Sequence, residues 1–106
     1  MNPPSEANFR AKIEELVTHV PRGQVTTYGD LAALAGRPAA SRIVGGIAHY
    51  SDPQLPWHRV VNRFGGLASG YHGGRGAQAK HLEQEGVTCT NHIVDNFATV
   101  RWKPNL

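Results

Sequence analysis

The sequence predicts one mainly helical α/β domain of winged helix-turn-helix type. A chain of 106 residues can bury one modest core and is too short for two. Two short apolar-striped segments, Tyr28 to Ala35 and Pro38 to Ala48, are joined by a tight Gly36-Arg37-Pro38 turn, the sequence form of two helices meeting at an angle. Short β-prone pieces separated by turn residues follow, enough for a small hairpin beside the helices.

Taken in order, Ser5 offers a helix N-cap, and Phe9, Ile13, Leu16, Val17 and Val20 recur along one helical face until Pro21-Arg22-Gly23 ends it. Gln24-Val25-Thr26-Thr27 is β-prone. In the next helix Leu31, Ala32, Leu34 and Ala35 form a small stripe closed by Gly36. Pro38 suits the first turn of the helix after it, which runs through Ala39, Ala40, Ile43, Val44, Ile47 and Ala48. Arg59-Val60-Val61-Asn62 and Gly66-Leu67-Ala68 are expected to pair as a hairpin through Phe64-Gly65-Gly66. The stretch from Gly65 to Gly76 holds six glycines. It has neither a Gly-Lys-Ser/Thr ending nor a strand-Gly-x-Gly-x-x-Gly-helix setting, so it matches no nucleotide-cradling motif. A helix from Gln78 to Glu85 stops at Gly86, and Val87 to Cys89 and Phe97 to Trp102 are expected to supply a last strand and the tail. With no repeat and no long linker, residues 1–106 are expected to form one domain.

Composition narrows the class. Hydrophobic residues at 40% and charged residues at 18% are globular proportions. No apolar stretch approaches the roughly 18 residues of a membrane span, and Met1-Asn2-Pro3-Pro4-Ser5-Glu6 lacks the basic start and apolar run of a secretory signal. Cys89 alone forms no internal disulfide, which suits a reducing cytoplasm or nucleoid. From Arg22 to Lys80, seven Lys and Arg side chains stand against only Asp30 and Asp52, while both flanks are slightly acidic. That pattern fits a surface facing a polyanion and, equally, an ordinary solvated surface.

Several chemistries are excluded by spacing. His19, His49, His58, His72, His81 and His92 never fall three or four apart, and no cysteine pair joins them, so no metal site is expected. Cys89 lies in a strand-like Val87-Thr88-Cys89-Thr90 stretch with no cation or helix start to lower its pKa, which makes it an inert thiol. Glu14-Glu15 belong to a solvated helix face, and Glu83 and Glu85 point different ways, so paired carboxylates for acid–base work are scarce. No cofactor is expected.

The helix after the turn carries Ala39, Ala40, Ser41, Gly45, Gly46 and Ala48, and each interior glycine costs about 1 kcal/mol against alanine. In one reading the small residues pack closely against a neighbouring helix and Arg42 is a solvated charge. In the other the helix backbone closely approaches a ligand or a narrow groove, and Arg42 is the one long cationic side chain on a smooth surface.

Four motifs in order, Gly23-Gln24-Val25-Thr26-Thr27-Tyr28, Ala40-Ser41-Arg42-Ile43-Val44-Gly45-Gly46, Pro56-Trp57-His58-Arg59-Val60-Val61, and Gly86 after Glu83-Gln84-Glu85, resemble the active-site domain of the O6-alkylguanine-DNA alkyltransferases. The resemblance covers nearly the whole chain. In those transferases the third motif reads Pro-Cys-His-Arg-Val, and the cysteine accepts the alkyl group. Here Trp57 takes its place, as in the alkyltransferase-like family. A thiolate can attack carbon, whereas an indole offers one N–H donor and an aromatic face.

The resemblance implies a winged helix-turn-helix-like domain as in the transferases, and a monomer that binds O6-alkylguanine in double-stranded DNA by base flipping. It implies no alkyl transfer, and nucleotide excision repair proteins as partners. Carried over residue by residue, Arg42 fills the hole left by the flipped base, from a helix in the minor groove. Tyr28 presses on the phosphate of the flipped nucleotide. Val60 offers a backbone carbonyl to the guanine amine, and Tyr71 closes over the base. His58 and Glu85 match the partners of the missing cysteine and are expected to persist as a buried pair that supports the pocket, with Arg59 structural beside them. The chain departs from the transferases in a loop two residues shorter between Gly46 and Trp57. Ala48-His49-Tyr50-Ser51 shows no clear match to their tying asparagine, Gly70 and His72 flank Tyr71, and their separate N-terminal domain is expected to be missing. The tail Val100-Arg101-Trp102-Lys103-Pro104 resembles that of other alkyltransferase-like proteins.

Two rivals remain open from the residues. One is an enzyme using Cys89 as a residual acceptor, or His58 and Glu85 for hydrolysis. The other is a winged-helix regulator that binds a particular DNA sequence and has no lesion pocket, although such a reader should project several long polar side chains rather than Arg42 alone.

Overall fold

The computed structural model describes residues 6–104; the cap expected at Ser5 lies outside them. Helix α1 (Glu6–His19) buries Phe9, Ile13, Leu16 and Val17, the face that the apolar spacing marks. After the Gly23 turn, β1 (Thr26–Thr27) leads directly into α2 (Tyr28–Leu34), because the Thr27 hydroxyl accepts the Asp30 N–H at 2.9 Å and caps the helix. Gly36 ends α2 at φ +89°, in the left-handed region where a side chain would be strained. The Arg37 N–H then reaches back to the Ala32 carbonyl at 2.9 Å.

Helix α3 spans Ser41–Tyr50, so it starts later than the expected Pro38–Ala39. Pro38 and Ala39 are instead held in a turn closed by the Ala40 N–H on the Arg37 carbonyl at 2.9 Å, a position where proline's fixed φ is an advantage. Trp57–Arg59 form a single 3-10 turn that opens into β2 (Val60–Val61).

The hairpin expected between 59–62 and 66–68 does not form. β2 pairs in parallel with β1, Thr26 beside Val60 and Thr27 beside Val61, and all four residues are buried. Asn62 takes over the connection: its side-chain oxygen accepts the N–H groups of Phe64 and Gly66 at 2.9 and 2.8 Å, curling the chain into a tight turn. The antiparallel hairpin lies further on, between β3 (Cys89–Thr90) and β4 (Ile93–Val94). Asn91 and His92 both take positive φ between them, as a type I′ turn requires.

Helix α4 spans Gly74–Glu83, beginning ahead of the expected Gln78, inside the glycine-rich stretch. It stops before Gly86, which again has positive φ, and Val87 N–H closes on the Leu82 carbonyl at 3.0 Å. The segment Phe97 to Trp102, expected with Val87 to Cys89 to supply a last strand and the tail, opens as a short helix, α5 (Phe97–Val100), followed by a bridge from Arg101 to Val25. Arg101 donates twice to the Asp30 carboxylate, at 2.9 and 2.8 Å, and fastens the tail to α2.

The parallel pair divides the core in two. Val60 faces a cluster built from α1, α2, α3 and Trp57, and Val61 faces Val25, Leu67, Leu82, Val87 and Val94, since neighbouring strand residues point to opposite sides. The fold is mainly helical with small sheets, and among the described residues no helix is long and apolar enough to cross a membrane.

Candidate nucleic-acid interface

A cavity of about 730 Å³ opens between the α2–α3 side of the molecule and the loop after β2, lined by Tyr28, Gly45, Trp57, Tyr71, Arg75 and His81 among others. Trp57 reaches it from the 3-10 turn. The residue is 7% exposed and packs into the first core cluster. Its indole N–H is buried without a hydrogen-bond partner among the described residues.

Behind Trp57 stands an ionic cluster. Glu85, with a side chain 6% exposed, accepts from Arg59 Nε at 2.9 Å and Nη2 at 2.7 Å, and faces His58 Nε2 at 3.0 Å. Arg59 Nη1 donates to the Val20 carbonyl at 2.8 Å. The Arg59 hydrogen bonds hold the Glu85 carboxyl at about 2 against an ordinary 4.5, outweighing burial, which alone would raise it. Burial pushes His58 below its usual 6.5, outweighing the upward pull of Glu85. The neutral ring therefore donates from Nε2 to the carboxylate. Arg59 does not line the cavity.

Gln78 is wholly buried and joins two stretches of backbone to α4. Its amide donates to the carbonyls of His58 at 3.2 Å and Val60 at 3.0 Å, and its oxygen accepts the Ala68 N–H at 2.7 Å. The Val60 carbonyl is thus held by Gln78, and Val60 is fully buried and does not line the cavity. Tyr71 bonds through its hydroxyl to His81 Nδ1, and His81 stands edge-on to both Tyr71 and His58. Burial raises the pKa of Tyr28 and of Tyr71, the latter also through the Glu85 charge, so both hydroxyls remain protonated donors. Gln78 and His81 were not singled out in the sequence. A glutamine inside a helix carries no mark of burial, and the i, i+3 spacing of Gln78 and His81 on α4 is the only signal that they share a face.

Arg42 lies outside the cavity. It is exposed in the first turn of α3, with no hydrogen bond or ion pair among the described residues. A Cβ placed on Gly45 or Gly46 would meet nothing within 4 Å. Close packing within the chain is therefore not what these glycines serve, whereas Ala40 is buried and Ala48 packs against the core, so the first reading holds for these alanines and not for Gly45 and Gly46. Cys89 is half-buried in β3 and does not line the cavity. Burial and the charges of Asp95 and Glu83 raise its thiol pKa. Among the described residues no group of three His, Cys, Asp or Glu side chains is placed to hold a metal ion.

The family model for the DNA-binding domain of 6-O-methylguanine DNA methyltransferase matches residues 8–87, and the chain belongs to this family. Within it the chain is of the alkyltransferase-like kind. It is 34% identical to alkyltransferase-like protein 1 of Schizosaccharomyces pombe over 103 residues, 91% of this chain and 95% of that protein. The crystal structure of the S. pombe protein in complex with damaged DNA containing O6-carboxymethylguanine superposes with a TM-score of 0.83 at 32% identity, covering 95% of this chain and 100% of that one. A DNA base-flipping protein of Escherichia coli is 48% identical over 65 residues, 59% of this chain; that match spans 50% of the relative's length. The O6-methylguanine methyltransferase of Mycobacterium tuberculosis superposes with a TM-score of 0.65 at 29% identity, covering 78% of this chain and 50% of that one.

Proposed function

We propose that this chain binds O6-alkylguanine in double-stranded DNA by swinging the base into the cavity beside Trp57. It holds the base without alkyl transfer and flags it for nucleotide excision repair. The observation that carries this reading is Trp57, an indole lining a base-sized cavity in the place where the transferase motif has its acceptor cysteine. The S. pombe relative, alike over nearly its full length, is known bound to damaged DNA.

In this reading α3 enters the minor groove, where Gly45 and Gly46 let its backbone come close. Arg42, without a hydrogen bond or ion pair among the described residues, fills the stack and bonds the orphaned base, offsetting an unstacking cost of a few kcal/mol. The protonated Tyr28 hydroxyl donates to the phosphate of the flipped nucleotide. Tyr71 closes over the base, and the Val60 backbone carbonyl, reached once the wall yields, accepts its exocyclic amine. His58 and Glu85 hold the wall. With Glu85 committed to Arg59 and Cys89 outside the cavity lining, neither an acceptor thiol nor a free carboxylate is offered to the alkyl group, and the protein acts as a binder. Tight binding without turnover serves the cell only if other machinery follows, which is the reason for assigning excision repair proteins as partners. One lesion needs one pocket, so the protein acts as a monomer, and a lone free thiol suits the cytoplasm and nucleoid.

The test is competition between two duplexes identical except for one O6-methylguanine, at fixed salt because nonspecific affinity depends steeply on it. The modified duplex is expected to win by about tenfold or more, and Arg42→Ala to lose most of that affinity. Equal binding of the two duplexes overturns the reading in favour of a sequence-specific DNA binder.

A further inference from the structure

Resting on the base-flipping reading above, we infer that His81 is a positioning residue for the flipped base: its Nδ1 accepts the Tyr71 hydroxyl proton, fixes that ring at the cavity wall before DNA arrives, and so sets how long the base stays. Tyr71 and His81 both line the cavity and are hydrogen-bonded to each other. Their backbones lie apart: His81 is in the last turn of α4, and Tyr71 is in the loop before that helix. Among the described residues the other hydrogen bonds of residues 69–72 close local turns, from the Tyr71 N–H to the Ala68 carbonyl at 3.1 Å and from the Gly74 N–H to the Tyr71 carbonyl at 2.7 Å. Gly70, Gly73 and Gly74 leave this backbone few restraints of its own. The Tyr71 hydroxyl is therefore what fastens the loop to the body of α4.

The direction of the bond follows from its partners. Burial and the Glu85 charge keep the Tyr71 hydroxyl protonated, and a neutral imidazole that accepts at Nδ1 carries its own proton on Nε2. With its one proton given to His81, Tyr71 offers a base an aromatic face and an accepting oxygen, and no donor. Stacking on such a face holds a base whatever its substituent. His81 is braced in turn. Its ring stands edge-on to His58 with centroids 5.8 Å apart, and His58 faces Glu85 at 3.0 Å. Tyr71, His81 and His58 thus form a row of rings from the loop to the 3-10 turn that carries Trp57. The two aromatic walls of the cavity are held relative to each other in advance, which lowers the ordering cost of binding and is read mainly in the dissociation rate.

The first arm of the test needs no DNA. In the free protein the nitrogen NMR resonance of His81 Nδ1 is expected to shift in Tyr71→Phe, and a resonance indifferent to that substitution overturns the latch whatever the protein binds. The second arm follows dissociation from duplexes carrying guanine or O6-methylguanine at one position, for the wild type, Tyr71→Phe, His81→Ala, the double variant and His81→Asn. Asparagine keeps an acceptor, Oδ1, near the place of Nδ1, and circular dichroism confirms that each variant is folded. Each of Tyr71→Phe and His81→Ala is expected to leave the O6-methylguanine duplex about fivefold faster, the size of one ordinary hydrogen bond, with the double variant no faster than either and His81→Asn within about twofold of the wild type. An unaltered rate in His81→Ala, single effects that multiply in the double variant, or His81→Asn as fast as His81→Ala overturns the positioning role. Equal acceleration on both duplexes by His81→Ala overturns it in favour of a direct contact with the DNA backbone. A wild type that leaves both duplexes at the same rate takes down the base-flipping reading and the role in holding a base, even where the Nδ1 shift still reports the bond.

Discussion

Arg59 and Glu85 meet through two hydrogen bonds, Nε to Oε1 at 2.9 Å and Nη2 to Oε2 at 2.7 Å. Arg59 also reaches the Val20 carbonyl just past the end of α1, while Glu85 comes from just past the end of α4. The residue that follows Trp57-His58 thus ties together the two helices flanking the wall of the cavity. In a transferase the carboxylate would serve the cysteine through histidine; here its strongest partner is a structural arginine.

Glu85→Gln therefore leaves Arg59, with a side chain only 15% exposed, as an unpaired buried cation, and should cost about 3 kcal/mol or more, read by urea denaturation at pH 7. The wild type should also lose stability in acid in two windows. Because burial holds folded His58 below 6.5, the unfolded chain takes up that proton first, and stability present above 6.5 declines as pH falls through it. Because Arg59 holds Glu85 at about 2 against 4.5, its contribution is full above 4.5 and is lost between there and about 2. Glu85→Gln should erase the second window. An unchanged acid profile in the variant would show that the ion pair does not stabilise the fold.

Gly45→Ala and Gly46→Ala should separate folding from binding. A Cβ at either position meets open space, so each variant should gain up to about 1 kcal/mol of stability from helix propensity. If α3 lies against DNA, the same methyl group should weaken duplex binding about tenfold, as an overpacked contact of 1–3 kcal/mol would. Higher melting temperature with unaltered affinity would mean that this face of α3 does not touch DNA.

The parts of the fold legible in the sequence are those set by local rules. Phe9, Ile13, Leu16 and Val17 mark the buried face of α1 because helical periodicity is written in neighbouring residues. Gly36 and Gly86 mark helix ends because only glycine adopts their φ without strain. The pairing of Thr26 with Val60 was not legible: both strands are too short to show a period, and parallel partners lie far apart in sequence. The start of α4 was hidden for another reason. Gly73 and Gly74 both take positive φ, so the turn that launches the helix looks like the loop before it. At the site, the motif around Trp57 named His58 and the motif ending at Gly86 named Glu85, while Gln78, the amide that binds the wall together, looked like any solvated helix residue.

Gln78→Met removes all three of its hydrogen bonds at nearly constant volume, leaving two carbonyls and the Ala68 N–H without their partner. Unsatisfied buried groups of this kind cost about 1–3 kcal/mol each before relaxation, so a loss of about 2–4 kcal/mol is expected on thermal or urea unfolding. Hydrogen exchange locates the effect: the Ala68 amide should exchange faster in the variant, because Gln78 is the group that closes it. Protection at Ala68 equal to the wild type would show that the loop carrying Tyr71 is held by something else.

Incubation with duplex bearing O6-[methyl-3H]guanine decides whether the protein is a binder. Neither transfer of label to protein nor release to water is expected, for wild type and Cys89→Ser alike. The Cys89 thiol lies outside the cavity lining, and burial with Asp95 and Glu83 nearby disfavours its thiolate. Trp57 offers the alkyl carbon no lone pair to form a bond. Protein-bound label that disappears in Cys89→Ser would make the chain an alkyl acceptor. Label released to water and lost in His58→Ala would make it a hydrolase, with the neutral His58 ring rather than Glu85 as the base, since the carboxylate is already saturated by Arg59.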